Sequence, residues 1–225
     1  MGAVAKMFRF LGDTVEEVAR KLVDNGYPPE TAVRMADGTL PMDYASRMQR
    51  AREQGFRNPA MYHGTGSDIS EIDPAKLQAR DAGVLGHGLY STQAPAIANQ
   101  YARLAGRIGG ENPNVIPLLS RKGSYAQYNL ADKGDLAVEL AKDQSFSKNL
   151  TDQLKSEGYI GADVRDASGG IVERVNFDPN DVRSLLSAAF DPQYKGSSLL
   201  GGSAGLGVLG EVMRQLEEKK KRGME

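Results

Sequence analysis

The chain contains no cysteine, which excludes a disulfide scaffold, thiolate metal sites and a cysteine nucleophile together. Histidine occurs only at His63 and His87, so a multi-histidine metal cage is excluded as well, and no metal is expected. There is no excess of charge: 28 Lys+Arg against 29 Asp+Glu give a net charge of −1. A partner held by bulk positive charge, as on a nucleic-acid coat protein, is therefore not expected. No apolar stretch approaches the roughly 18 residues of a membrane span. The start, Met1 to Phe10, lacks the apolar core and cleavage site of a secretory signal, so the expected setting is cytoplasmic, of a host or target cell. Internal repeats are absent too.

What is present is ordinary globular material: 225 residues, 40% hydrophobic and 25% charged, enough for one full domain and a small appendage. Residues 1–58 read as a helical prelude. Thr14-Val15-Glu16-Glu17 fits a capping box, and Val15, Val18, Leu22 and Val23 then fall on one helical face. A second helix is expected from Pro28 to Met35. A third runs from Pro41 to Gln54, with Tyr44, Ala45 and Met48 inward. Residues 59–192 read as an α+β domain. Strands are expected at Ala60–His63, Gly88–Ser91, Val115–Ser120, Tyr159–Ile160 and Gly170–Phe177, and helices at Pro95–Leu104 and Leu136–Glu157 with a break near Ser145–Ser147. Residues 193–225 read as a Gly-rich linker, with six glycines from Gly196 to Gly210, and a charged helix or tail.

Three places combine residues capable of chemistry. In the Ile171–Phe177 strand a period of two puts Glu173 on one face with Ile171, Val175 and Phe177. A carboxylate on an apolar face is tolerated when it is paired or lines a polar cleft. The alternative is an exposed edge-strand Glu paired across its strand. His63 closes a strand before Gly64-Thr65-Gly66-Ser67, read as a turn, and Gly64 permits close approach of a ligand to the backbone. His87 sits between Gly86 and Gly88 and reads as structural. Tyr90 and Tyr101 are separated by ten residues across a strand–turn–helix, where two rings can face each other around a flat, electron-poor heterocycle. Two unrelated core tyrosines are the other reading.

Taken in order, Tyr62-His63-Gly64-Thr65, then Gly86-His87-Gly88-Leu89-Tyr90-Ser91 with Tyr101, then Glu173-Arg174-Val175-Asn176-Phe177-Asp178, resemble the three motifs of the ADP-ribosyltransferase superfamily. The resemblance is to its His-Tyr-Glu branch, which includes diphtheria-type toxins and poly(ADP-ribose) polymerases. The layout is most similar to the ADP-ribosyltransferase domains of phage and prophage polyvalent proteins, including the segment from Phe177 to Ser184 and the later Phe190-Asp191-Pro192. It covers about residues 59–192.

The resemblance implies a split β-sandwich binding NAD, as substrate, in a cleft. His63 would bond the adenosine ribose, the Gly64 backbone the nicotinamide carboxamide, and Thr65 would be a secondary contact. Tyr90 and Tyr101 would sandwich the nicotinamide, and Glu173 would stabilise the cation formed as nicotinamide leaves; Glu173, His63 and Tyr90 form the implied catalytic set. The implied activity is transfer of ADP-ribose to a macromolecular acceptor, a protein rather than nucleic acid, by a phage- or prophage-borne enzyme. NAD hydrolysis, or an inactive NAD- or ADP-ribose-binding module of a phage structural protein, are the alternatives. The polymerase-type pattern has a serine three positions before the second tyrosine, and here that position is Ala98. With no counterpart of the polymerases' helical regulatory domain either, transfer of a single ADP-ribose is favoured. The Gly161–Ser168 segment is expected to be a loop offering contacts to the acceptor.

Overall fold

The computed structural model describes residues 14–24, 27, 29–67, 69, 83–108, 112–143, 145–185 and 190, with Asn58 and Pro59 described by backbone alone. The chain divides into two compact units, residues 1–51 with 186–225, and residues 52–185. The Gly-rich segment and charged helix expected over 193–225 lie outside the described residues.

In the first unit, α1 (Val15–Asp24), α2 (Pro29–Ala36) and α3 (Tyr44–Glu53) follow one another. The capping box forms as the sequence dictates. The Thr14 hydroxyl accepts the Glu17 N–H at 3.2 Å, and the Glu17 carboxylate accepts the Thr14 N–H at 2.7 Å. Val18, Ala19 and Leu22 then pack with Tyr27, Ala32, Met35, Ala36 and Leu40. Burial raises the Tyr27 phenol to a pKa of about 12. Val23 is 39% exposed, so Ala19 rather than Val23 completes the inward face. On α3, Met48 is buried as expected and Ala51 lies buried beside it, while Tyr44 and Ala45, also expected inward, are exposed.

The second unit is α+β. β1 (Phe56–Thr65), β3 (Asn114–Arg121) and β7 (Val182–Ser184) form an antiparallel sheet in the order β1-β3-β7. β2 (Leu89–Ser91), β4 (Tyr125–Asn129), β5 (Gly161–Arg165) and β6 (Ile171–Asn176) form a mixed sheet in the order β2-β6-β5-β4. Only β4 and β5 are parallel, and the crossover between them carries α5 (Leu130–Lys142) and α6 (Phe146–Ser156). The expected break near Ser145–Ser147 is the junction between these helices. α4 (Pro95–Arg107) starts at its proline, whose missing N–H costs nothing in a first turn. β4 was not expected, and Tyr159–Ile160 precedes β5 rather than forming a strand. Among the described residues no helix is long and apolar enough to cross a membrane.

The mixed sheet buries one face against α5 and α6. Ala126, Ala162, Val164, Val175 and Phe177 pack there with Leu85, Leu150 and Leu154. Among the described residues the two sheets share one backbone bridge, Tyr62 with Thr92, whose amides exchange bonds of 2.7 and 3.0 Å. β1 continues through Gly64 and Thr65, paired with Val115 and Asn114, so the first half of the segment read as a turn is strand and only Gly66 and Ser67 bend. The glycines serve a different need. A Cβ on Gly64 would lie 1.9 Å from the Ala98 carbonyl oxygen, and one on Gly66 would lie 2.7 Å from the Ala105 carbonyl carbon. α4 therefore rests directly on the β1 backbone, with Ala98 and Ala102 each 1% exposed beneath it.

This contact predicts that Gly64→Ala destabilises the unit by about 3 kcal/mol or more, because backbone stands where the methyl would go. Gly134→Ala, within α5 and with nothing within 4 Å of its would-be Cβ, is expected to stabilise by roughly 0.5–1 kcal/mol. Urea unfolding of both variants checks the pair of signs.

Candidate active site

The site is built around the seam between β1 and β2. Strand alternation puts Tyr62 and Gly64 toward α4, and Met61, His63 and Thr65 on the other side. The His63 Nδ1 lies 2.7 Å from the Tyr90 carbonyl oxygen. A carbonyl only accepts, so Nδ1 carries the proton and Nε2 presents its lone pair. Loss of solvation lowers the His63 pKa from 6.5, opposed in part by the bond to Tyr90, so the ring is neutral at pH 7.

Strand alternation applies to the amides as well. The Tyr62 N–H and C=O point toward β2, where they bond Thr92. Those of Gly64, two residues on, point the same way, and the β1–β2 ladder has no bridge beyond Tyr62–Thr92. Gly64 therefore offers a donor and an acceptor side by side into the seam, facing the strand of Tyr90.

Tyr90 is held at both ends. Its carbonyl takes the His63 bond, while its phenol accepts the Leu85 N–H and donates to the Gly86 carbonyl, both at 2.8 Å. The loop that reaches round to the ring depends on glycine twice. Gly86 has φ +104, and a Cβ on Gly88 would sit 2.2 Å from the Asn176 carbonyl oxygen. His87 is exposed between them and its N–H bonds the Thr151 hydroxyl at 2.6 Å, in keeping with a structural role. Tyr101 lies on the flank of α4 between Ala98 and Ala102, the residues that meet Gly64, and is 52% exposed. Thr65 is half-buried, its hydroxyl accepting the Ser67 N–H at 3.3 Å.

Glu173 lies on β6, the strand next to β2. Tyr90 is directly opposite Val175 in the β2–β6 register, so Tyr90, Val175 and Glu173 share one face. Tyr90 and Glu173 are then diagonal cross-strand neighbours, a relation that sets Cα atoms about 7–8 Å apart. β6 runs between β2 and β5, which rules out the exposed edge-strand alternative. A bulge accompanies the residue: Glu173 pairs with Val164 but Ile171 pairs with Arg165, leaving Val172 extra. The Glu173 side chain is 17% exposed, and its Oε2 accepts an ion-paired hydrogen bond from Lys133 Nζ. Among the described residues its Oε1 accepts no hydrogen bond.

Sequence reasoning missed Lys133, which lies 40 positions from Glu173. The available signal was the α5 start. The Asn129 side chain accepts the Ala131 and Asp132 N–H groups and Asp132 reaches back to the Asn129 N–H, a capping box that fixes Lys133 in the first turn. The opposite face of the sheet was missed too. There Arg174 makes two bonds, of 2.7 and 2.8 Å, to the buried Asp163, and lies 3.9 Å above the Tyr125 ring. That pairing corrects the expectation of an acceptor-contacting loop at Gly161–Ser168: its first five residues are β5, and Gly161, Ala162, Asp163 and Val164 are buried. Among the described residues no group of three His, Cys, Asp or Glu is placed to hold a metal.

The structure thus brings His63, Gly64 and Tyr90 to one seam, with Glu173 diagonal to Tyr90 and the helix of Tyr101 against Gly64. No family model, curated protein or solved structure matches the chain.

The partly buried, neutral imidazole sets a pH dependence. With its folded pKa below 6.5, His63 stays neutral while the unfolded chain takes up a proton, so stability is full above that value and is lost as pH falls below it. Between about pH 7.5 and 5.5 the wild type is expected to lose stability relative to His63→Asn, which keeps a donor for Tyr90 but cannot titrate. Parallel stability curves from denaturant titrations would contradict it.

Proposed function

We propose that residues 52–185 bind NAD and transfer its ADP-ribose to a macromolecular acceptor, releasing nicotinamide. This reading takes the two sheets as the halves of an ADP-ribosyltransferase-type split sandwich, opened at the β1–β2 seam. The observation that carries it is the placement of Glu173, with one carboxylate oxygen uncommitted, on the face and beside the strand that hold Tyr90, next to the seam formed by His63 and Gly64.

The roles follow from chemistry. The neutral His63 offers Nε2 as acceptor to a ribose hydroxyl. The paired N–H and C=O of Gly64 match a primary carboxamide, which both accepts and donates. Ala98 has no polar atom to add, so that anchor falls to the backbone. Tyr90, tethered at its phenol, offers a fixed ring, and Tyr101 an exposed one on the neighbouring helix. As the glycosidic bond breaks, positive charge grows on the nicotinamide ribose. A carboxylate held beside it stabilises that state more than the ground state. The partial burial of Glu173 increases this effect by excluding water.

One observation favours a second reading. Lys133 already neutralises Glu173, an arrangement that suits an NAD-binding module without turnover. In a working transferase the Lys133 contact holds the carboxylate until substrate arrives, and the uncommitted Oε1 is the atom that faces the ribose.

Nicotinamide release from NAD separates the two. The transferase reading predicts measurable release by the wild type, and a fall of about 10²–10³-fold in Glu173→Gln, the cost of one preorganised electrostatic stabiliser. A fall of less than tenfold would remove Glu173 from the chemistry. Calorimetric NAD binding with no release from either protein would establish the binding-only reading.

A further inference from the structure

The face of the mixed sheet turned away from Glu173 opens into a cleft of about 680 Å³, bounded by the ends of both sheets. Its lining carries five cationic side chains, Arg57, Arg121, Lys122, Arg165 and Arg174, and one carboxylate, Asp163. For a chain of net charge −1 this is a marked concentration of one sign. Asp163 is already shared, bonded by Arg174 at 2.7 and 2.8 Å and by Arg165 at 3.2 Å. Arg121 is committed to Asp181 at 2.9 Å. The acid at the rim, Asp166, is turned onto its own loop, where it accepts from Ser168 and from the Gly170 N–H.

Two cations remain for something else. Arg57 and Lys122 are exposed at the start of β1 and the end of β3, and among the described residues neither makes an ion pair. The Arg165 Nε is buried with no hydrogen-bond partner, an arrangement that native proteins rarely leave unanswered. A cleft lined by one sign of charge focuses its field on an anion. Its volume exceeds what a bare phosphate needs and falls within the roughly 300–1,000 Å³ of sites for organic ligands. The Tyr125 and Tyr159 rings in its wall supply surface for an organic body.

The geometry points to this cleft as a binding site for an organic phosphate monoester, with Arg57 and Lys122 as the donors to the phosphate. The site is independent of the NAD reading, because Arg174 and Asp163 project from the face opposite Glu173.

The test is calorimetric titration of the full chain with adenosine monophosphate, ribose 5-phosphate and inorganic phosphate. At least one organic phosphate is expected to bind saturably and more tightly than inorganic phosphate, and more weakly as salt is raised. Binding of adenosine monophosphate alone assigns a nucleotide, and binding of both a sugar phosphate. The double variant Arg57→Glu/Lys122→Glu, both positions exposed, is expected to lose about tenfold or more in affinity, and Lys122→Gln alone a smaller factor in the same direction. Glu173→Gln is expected to bind as the wild type does, whatever its effect on nicotinamide release. Absence of saturable binding, binding no tighter than that of inorganic phosphate, or affinity unchanged in both charge variants would overturn the assignment.

Discussion

One bond between an imidazole and a carbonyl holds the seam of this protein. β1 and β2 share a single bridge at Tyr62 and Thr92, and one step further the strands are joined by His63 Nδ1 on the Tyr90 oxygen instead of by backbone. That substitution has three consequences. It fixes the histidine tautomer, it sets the position of Tyr90, and it leaves the Gly64 amide groups facing a gap instead of a neighbouring strand. An ordinary ladder here would have closed the gap that the Gly64 N–H and C=O face, beside the His63 imidazole.

Small residues make that seam possible. Gly64 and Gly66 let α4 sit on the β1 backbone, with Ala98, Ala102 and Ala105 as the matching surface. Gly88 lets the preceding loop press on β6, and the same loop captures the Tyr90 hydroxyl. Interiors packed this closely transmit a one-methyl change directly, so these glycines position the site although none of their side chains takes part in it.

Much of this was legible in the sequence where a local rule applied. The Thr14 capping box, the proline start of α4 and the face that Glu173 shares with Val175 each depend on a few adjacent residues and a single physical cause, whereas the bulge at Val172 turns Ile171, expected on that face, to the other side. Where long-range pairing decided, local signals failed. Gly161-Ala162-Asp163-Val164-Arg165 looks like a loop because it carries glycine and an acid. It is a buried strand because Arg174, eleven residues away, supplies the missing charge, and because the Tyr125 ring covers Gly161. Gly64-Thr65 reads as the start of a turn, and the close approach that Gly64 permits is that of α4. The capping box at Asn129 marks Lys133 as a first-turn residue, but its partner is 40 residues distant and is reached only once the β4–α5–α6–β5 crossover has formed.

β6 carries the account's central division. Its successive residues Glu173 and Arg174 point to opposite faces, one onto the face of Tyr90, where Lys133 meets it, and the other into a cationic cleft beside Asp163. The most direct test is a crystal structure of Glu173→Gln with NAD bound. The account predicts the nicotinamide between Tyr90 and Tyr101, its carboxamide on the Gly64 N–H and C=O, the adenosine ribose within hydrogen-bond distance of His63 Nε2, and the nicotinamide ribose beside residue 173. NAD bound on the Arg174 face, or a seam left empty at saturating NAD, would contradict it.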